Sequence, residues 1–137
     1  MKSKRPILLV EDDQVDVMTI QRALHEIKIA NTVHVTRNGE EGLAFLAHKE
    51  NEKPCVILLD LNMPKMNGIE FLREIKKDPA LRLIPVVVLT TSKEEMDKSE
   101  SFQLGAAGYM IKPVDYQQFL EVIRTIDLYW TLSELAE

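Results

Sequence analysis

The sequence predicts an α/β fold: a doubly wound, five-stranded parallel sheet with helices on both faces. Two observations carry that prediction. Short apolar runs alternate along the chain with longer stretches of helical periodicity, the pattern of repeated strand–helix units. The central run, Cys55-Val56-Ile57-Leu58-Leu59, shows no polar alternation and stops at Asp60, just before Asn62-Met63-Pro64. A strand apolar on both sides belongs inside a sheet covered on both sides.

Strands are expected at Ile7 to Val10, Thr32 to Thr36, Val56 to Asp60, Val86 to Thr90 and Gly108 to Ile111. Between the first two, Val17, Ile20, Leu24 and Ile27 make an inward stripe on a helix spanning about 14 to 28. A second helix starts near Gly39, with Gly42, Leu43, Leu46 and Ala47 turned inward. The third, Gly68 to Lys77, carries Ile69, Leu72 and Ile75 and stops at Asp78-Pro79, because a residue before proline is pushed out of the helical region. The fourth, about Lys93 to Gln103, has only Met96 and Phe102 as large apolar residues, so it is expected to be the least firmly packed. The last helix, about 115–132, is extended and has its stripe at Phe119, Val122, Ile123, Ile126 and Trp130. Tyr116, Leu120 and Leu128 lie off that stripe and Tyr129 at its edge, more apolar surface than one face needs.

Composition narrows the function classes. With 137 residues and 45% hydrophobic side chains, residues 1–137 suit a single domain. Seventeen basic residues stand against 22 acidic ones, a formal net charge of −5, so no general attraction to nucleic acid is expected. The basic cluster Lys2 to Arg5 reads as a solvated terminus. The single cysteine, Cys55, cannot close an internal disulfide and suits a small buried hydrophobe. Glu11 to Asp13 interrupt the first apolar run, and no segment approaches the ~20 apolar residues of a membrane span. A soluble, cytoplasmic protein with no membrane partner is expected.

Chemistry concentrates at the strand ends. In a doubly wound sheet the first and third strands are neighbours at the topological switch point, so Glu11, Asp12 and Asp13 converge with Asp60. Such a cluster of like charges is tolerated mainly around a cation, and an all-oxygen donor set suits a hard ion such as Mg²⁺. The expected ligands are Asp12, Asp60 and the backbone carbonyl of Asn62, with Glu11 acting through water; Asp13 is read as the cap of the first helix. The fourth strand ends in Thr90-Thr91-Ser92 and the fifth is followed by Lys112-Pro113, bringing a hydroxyl and an ammonium to the same edge. A carboxylate nucleophile, a divalent ion, a hydroxyl and a lysine are what phosphoryl transfer to aspartate needs. Asp60 is the expected acceptor. Pro113 holds Lys112 toward extended backbone, and an X-Pro bond can be cis, so the dipeptide aims the lysine over the sheet edge.

With Glu11-Asp12, Asp60 in Leu59-Asp60-Leu61-Asn62-Met63-Pro64, Gly68, Thr90, and Tyr109 three residues before Lys112-Pro113, the chain resembles the receiver domain of two-component response regulators over nearly its full length. The resemblance implies a flavodoxin-like (βα)5 fold, a histidine kinase as phosphodonor, Mg²⁺ as cofactor and Asp60 as phosphoacceptor. It also implies that Thr90 and Tyr109 form a switch pair, the hydroxyl moving to the phosphoryl group and the ring turning inward. Val86-Val87-Val88-Leu89-Thr90-Thr91-Ser92 and Tyr129-Trp130-Thr131-Leu132 are similar to stand-alone receivers of the cyanobacterial phytochrome-partner type. That likeness implies a phytochrome-like kinase and a homodimer built on Tyr116, Leu120, Leu128 and Tyr129. Two departures are Glu11 for the more usual aspartate and Thr91 for a small alanine; the latter is expected to narrow access to Asp60 and slow phosphoryl loss.

Other classes fit less well. Output is expected through a surface change read by a downstream protein, with dimer rearrangement or onward transfer in a phosphorelay as alternatives. Catalysis is confined in this reading to the domain's own phosphorylation and dephosphorylation, so it is not an enzyme in the ordinary sense. An aspartate-nucleophile phosphatase of the haloacid-dehalogenase type wants a second acid two residues after the nucleophile, where this chain has Asn62. A flavin module wants free amides and positive potential after the first strand, where this chain has Glu11 to Asp13.

Overall fold

Each apolar run forms a strand in the computed structural model, which describes residues 5–63, 65–91, 95–112, 115, 117–122 and 124–125. The order is β1 (Ile7–Val10), α1 (Gln14–Glu26), β2 (Val33–Thr36), α2 (Gly39–Ala47), β3 (Val56–Leu59), α3 (Gly68–Lys77), a 3-10 turn (Leu81–Leu83), β4 (Val86–Thr90), α4 (Glu95–Gln103) and β5 (Gly108–Ile111). Residues 117–122 and 124–125 are also helical. All pairings are parallel, in the order β2-β1-β3-β4-β5. This is the flavodoxin-like arrangement, with its switch point between β1 and β3.

Successive side chains point to opposite faces of a strand, and that alternation sorts the core into two layers. Leu8, Val10, Ile57, Leu59, Val86 and Val88 pack on Leu46 of α2 and Phe71, Leu72 and Ile75 of α3. Ile7, Leu9, Val56, Leu58, Val87 and Leu89 pack on Val17, Ile20 and Leu24 of α1 and on Phe119 of the last helical segment. Both sides of β1, β3 and β4 are therefore covered, and every residue in them is buried. Fully burying one such aliphatic side chain contributes about 1.5–3 kcal/mol, so these three strands are the rigid frame on which the sheet edge is held.

Several expectations change in detail. β2 is an edge strand, so His34 and Val35 are exposed although their run reads as apolar. Ala47 is exposed rather than inward, because it is the last helical residue and His48 already leaves in extended backbone. Phe71, absent from the predicted α3 stripe, is among the largest fully buried side chains. Met96 and Phe102 are 78% and 46% exposed; among the α4 residues whose burial is described, the buried one is Ser101, whose hydroxyl donates to the Asp97 carbonyl at 2.7 Å. α4 thus presents neither of its large apolar side chains to the core. Pro64, Ser92, Lys93, Pro113, Tyr116, Ile123, Ile126, Leu128, Tyr129 and Trp130 lie outside the described residues. Among the described residues, no helix is long and apolar enough to cross a membrane.

Caps at the helix ends fix the loops between strand and helix. Asp13 caps α1, its carboxylate accepting from the N–H groups of Val15 at 2.9 Å and Asp16 at 3.1 Å. Asn67 caps α3 in a capping box with Glu70. Each cap satisfies helix N–H groups that have no partner within the helix, so the loops after β1 and β3 are pinned at both ends.

Candidate functional site

Glu11, Asp60 and Lys112 are each the first residue past a strand, and each still donates its own N–H to the neighbouring strand. Glu11 donates to the Thr36 carbonyl at 2.9 Å, Asp60 to Val10 at 3.0 Å and Lys112 to Thr90 at 2.8 Å. The hydrogen-bond ladder thus runs one step beyond the strands. It places an acid, a second acid and a lysine on rigid backbone at the carboxyl edge, where open α/β sheets hold ligands.

Asp60 is buried, only 6% exposed. Its Oδ1 accepts from the Asn62 N–H at 3.4 Å, and its Oδ2 lies 4.0 Å from the Lys112 ammonium. Behind it, the Gly68 N–H donates to the Leu61 carbonyl at 3.1 Å, closing the turn after β3. Glu11 is buried as well and pairs directly with Lys112 through one carboxylate oxygen, while its other oxygen accepts from the Asp13 N–H at 3.3 Å. Asp12 is exposed at the mouth.

One oxygen each from Glu11, Asp12 and Asp60 can be chosen so that all lie within 4.8 Å of one another. The set is hard oxygen throughout and suits a divalent ion of the Mg²⁺ or Mn²⁺ kind. Electrostatics point the same way. Burial pushes the Glu11 carboxyl up to about 7, with Asp60 adding to the rise and Lys112 opposing it. A buried carboxylate beside a second one is under-compensated by the protein alone, and a dication is the charge that balances such a pair. Burial on its own would lower the Lys112 pKa, but hydrogen bonds to Asp16 and Glu11 and the charge of Asp60 outweigh it and raise it. Lys112 is a permanent cation.

Asn62 and Thr91 border the same cavity, of about 520 Å³, together with Asp12, Asp60 and Lys112. Asn62 is exposed, and its side-chain amide donates to two hydroxyls, Thr90 at 3.4 Å and Thr91 at 3.3 Å. Thr90 is fully buried at the end of β4. Tyr109 of β5, paired with Val88, is half-buried against the α2–α3 layer. Its ring lies 6.5 Å from that of Phe102 on α4.

The residues expected from the sequence therefore stand at one edge: Asp12, Asp60, Asn62 and Lys112 line the cavity, Glu11 and Thr90 are buried beside it at the ends of β1 and β4, and Tyr109 lies one pleat back on β5. Two participants were missed. Asp16 accepts from Lys112 at 2.8 Å, and Phe102 meets Tyr109. For Asp16 a signal exists, since it stands three residues after the capping Asp13 and so shares its helix face; an acid in a first turn reads equally well as a response to the helix dipole. A larger cavity of about 560 Å³ lies at the opposite edge, between Pro85, Ala107 and Val122. It is mainly apolar and lacks a carboxylate cluster, so size does not locate the chemistry here.

Comparison with known proteins agrees with this geometry. The response regulator receiver domain family matches residues 7–124. Response regulator Rcp1 of Synechocystis sp. is 38% identical over 128 residues, 90% of this chain and 87% of that protein. The crystal structure of the phosphorylated cyanobacterial phytochrome response regulator RcpA superposes with a TM-score of 0.79 at 38% identity, covering 94% of this chain and 95% of that one. The Mn²⁺-bound form of Rcp1 gives 0.77 at 38% identity, covering 92% and 94%.

Proposed function

Because the chain belongs to the response regulator receiver family, and so serves phosphorylation-activated two-component signalling, we propose that Asp60 is its phosphoryl acceptor. One observation carries the proposal: a buried carboxylate on rigid backbone, with a permanent ammonium 4.0 Å away and two further acids arranged for a dication.

In the proposed transfer an Asp60 oxygen attacks the phosphorus of a phosphohistidine on a histidine kinase; the O–P bond forms as the N–P bond breaks, and the histidine keeps the electron pair. Mg²⁺ held by Glu11, Asp12, Asp60 and the Asn62 carbonyl would neutralise phosphoryl oxygens. Lys112 takes another of those oxygens, and Thr90 at the end of β4 offers a hydroxyl. Loss of the phosphoryl group to water returns the domain to its starting state. Thr90 and Tyr109 are the switch pair: they lie on one face of adjacent strands, so a hydroxyl drawn to the phosphoryl group leaves room for the ring. Since Tyr109 touches Phe102, the change reaches the weakly packed α4.

Three partner readings accompany this. The likeness to the cyanobacterial phytochrome response regulator RcpA supports a phytochrome-like kinase as donor. Val15 borders the acidic cavity and Met18 lies one turn on; they are 70% and 55% exposed, an apolar step beside the site on which a phosphodonor protein can dock. The apolar excess of the C-terminal helix, of which half-buried Leu120 is described, supports a homodimer, with a downstream protein reading the α4 side.

The phosphatase reading loses further ground, because the Asn62 amide is engaged with two hydroxyls and, as a carboxamide, does not ionise to serve as general acid or base for a leaving group. Incubation with acetyl phosphate and Mg²⁺, resolved on a phosphate-affinity gel beside Asp60→Asn, tests the assignment. A retarded band is expected for the parent alone and is lost on chelation; no shift in the parent, or an equal shift in the variant, overturns it. Sedimentation across a concentration series tests the dimer, which a monomer at every concentration would rule out.

A further inference from the structure

Lys112 is shared among three carboxylates, and they are not equivalent. It pairs directly with Glu11, lies 2.8 Å from Asp16 Oδ2, and is held 4.0 Å from Asp60 Oδ2. Its side chain is only 9% exposed, although it borders the cavity, so the carboxylates rather than bulk water hold the ammonium. Where it rests is decided by their balance.

Glu11 and Asp60 belong to the group of acids arranged to share a cation; Asp16 does not. A dication in that group draws on the charge of Glu11 and Asp60 together, which loosens the Glu11 hold on Lys112. Asp16 keeps its full charge. It is also the better-placed anchor mechanically: it lies in the first turn of α1, and its own N–H is fixed at 3.1 Å on the capping Asp13. Without it, Lys112 would be left between Glu11, whose hold a dication loosens, and Asp60, with nothing outside the cation group to keep it from closing on the nucleophile. A lysine seated on the nucleophile hydrogen-bonds the attacking oxygen and occupies the space of the incoming phosphoryl group.

We propose that Asp16 is a positioning residue for phosphoryl transfer: it is the metal-independent anchor that holds Lys112 beside Asp60 without letting it close on the nucleophile. The inference rests on Asp60 being the acceptor. It gives Asp16 a role distinct from metal binding and from helix capping, which falls to Asp13. It also explains why an acid on α1 is spent on a lysine that Glu11 already pairs.

The test uses the whole chain with acetyl phosphate, comparing parent, Asp16→Ala and Asp16→Glu, with Mg²⁺ affinity measured separately by calorimetry. A 1 Å misplacement of a positioning group can cost about a hundredfold, and a shifted lysine is a milder fault, so Asp16→Ala is expected to phosphorylate roughly tenfold more slowly at saturating Mg²⁺. Its Mg²⁺ affinity should stay within about twofold of the parent, a factor under 0.5 kcal/mol, and Asp16→Glu should recover most of the rate. Relief of repulsion toward the anionic donor would instead speed Asp16→Ala, so an unchanged or faster rate overturns the proposal. A fall in rate matched by a fall in Mg²⁺ affinity also overturns it, by returning Asp16 to the metal site. Asp16→Glu guards against Asp16→Ala failing to fold, since a folded glutamate variant with parental Mg²⁺ affinity but without transfer would still contradict the anchor. Failure of the underlying assignment looks different: the parent chain itself would not be phosphorylated, or Asp60→Asn would be.

Discussion

Gly68 sits against the backbone of Asp60 with no room for a side chain. A Cβ built on Gly68 would lie 2.6 Å from the Leu61 Cα and meet the Asp60 carbonyl oxygen more closely still. The first turn of α3 therefore packs on the proposed phosphoryl acceptor, and the Gly68 N–H bonded to Leu61 draws it there.

Gly68→Ala should therefore damage both stability and site. The atoms it meets are backbone, which cannot swing aside, so the overpacking cost is expected at the usual 1–3 kcal/mol. Chemical denaturation measures that loss, and the folded fraction should also phosphorylate more slowly because Asp60 must move. An alanine variant as stable as the parent would show that the turn yields freely.

The opposite effect is expected at Lys28. Lys28 holds φ at 64°, the left-handed region that costs an L side chain energy and glycine little. It stands just past the end of α1, where the Ile29 N–H donates to the Leu24 carbonyl at 2.9 Å and the Lys28 N–H to His25 at 3.0 Å. That is a Schellman closure whose C′ position favours glycine. Lys28→Gly should stabilise the chain by about 0.5–1 kcal/mol, raising Tm by a few degrees, with phosphorylation unchanged. A lower Tm would mean that the lysine stem contributes more than its backbone costs.

Asp78 gives a pH dependence of known sign. Its carboxylate accepts from the N–H groups of Ala80 at 2.8 Å and Leu81 at 3.2 Å, and those bonds hold its pKa below the ordinary 3.8. A carboxyl depressed by folding adds stability that is fully present above its unfolded value and is lost as pH falls through the folded one. Asp78→Ala should therefore be less stable than the parent at neutral pH, and the gap should narrow once pH drops below 3.8. Urea midpoints at pH 7 and pH 3 measure it; a gap that widens in acid contradicts the assignment.

Much of this was legible in the sequence for a physical reason. β1, β3 and β4 are buried on both faces, so their burial writes unbroken apolar runs, and the residue ending each run is by geometry a residue of the edge. That logic finds Glu11, Asp60 and Thr90 without a structure, while Lys112 follows the half-buried edge strand β5 and is found by its place before Pro113. It fails where the environment is set by a distant element. His34 and Val35 belong to a run that reads only as a strand, and it takes the strand order to put β2 at the rim and expose them. Phe71 hides behind a stripe that Ile69, Leu72 and Ile75 already satisfy. Asp16 meets Lys112 across 96 residues of chain, a pairing that no local period encodes.

Asn62 donates across the mouth of the cavity to Thr90 and Thr91, and this gives the Thr91 expectation a mechanism. If Asp60 carries the phosphoryl group as proposed, water entering the cavity meets this amide and the exposed Thr91 side chain on its lining, and Thr91 supplies the nearer of the two acceptors, at 3.3 Å. Thr91→Ala removes that acceptor and opens the mouth by a hydroxyl and a methyl group, leaving Asn62 bonded to Thr90 alone. A neutral hydrogen bond contributes about 0.5–1.5 kcal/mol net, so phosphoryl loss should accelerate by about two- to tenfold. Thr91→Ser, which keeps the hydroxyl and removes only the methyl, should lie near the parent if the bond is the gate and near alanine if bulk is. The decay of radiolabelled phosphoprotein after donor removal reads all three rates, and equal lifetimes for parent and alanine variant would show that the mouth is not limiting.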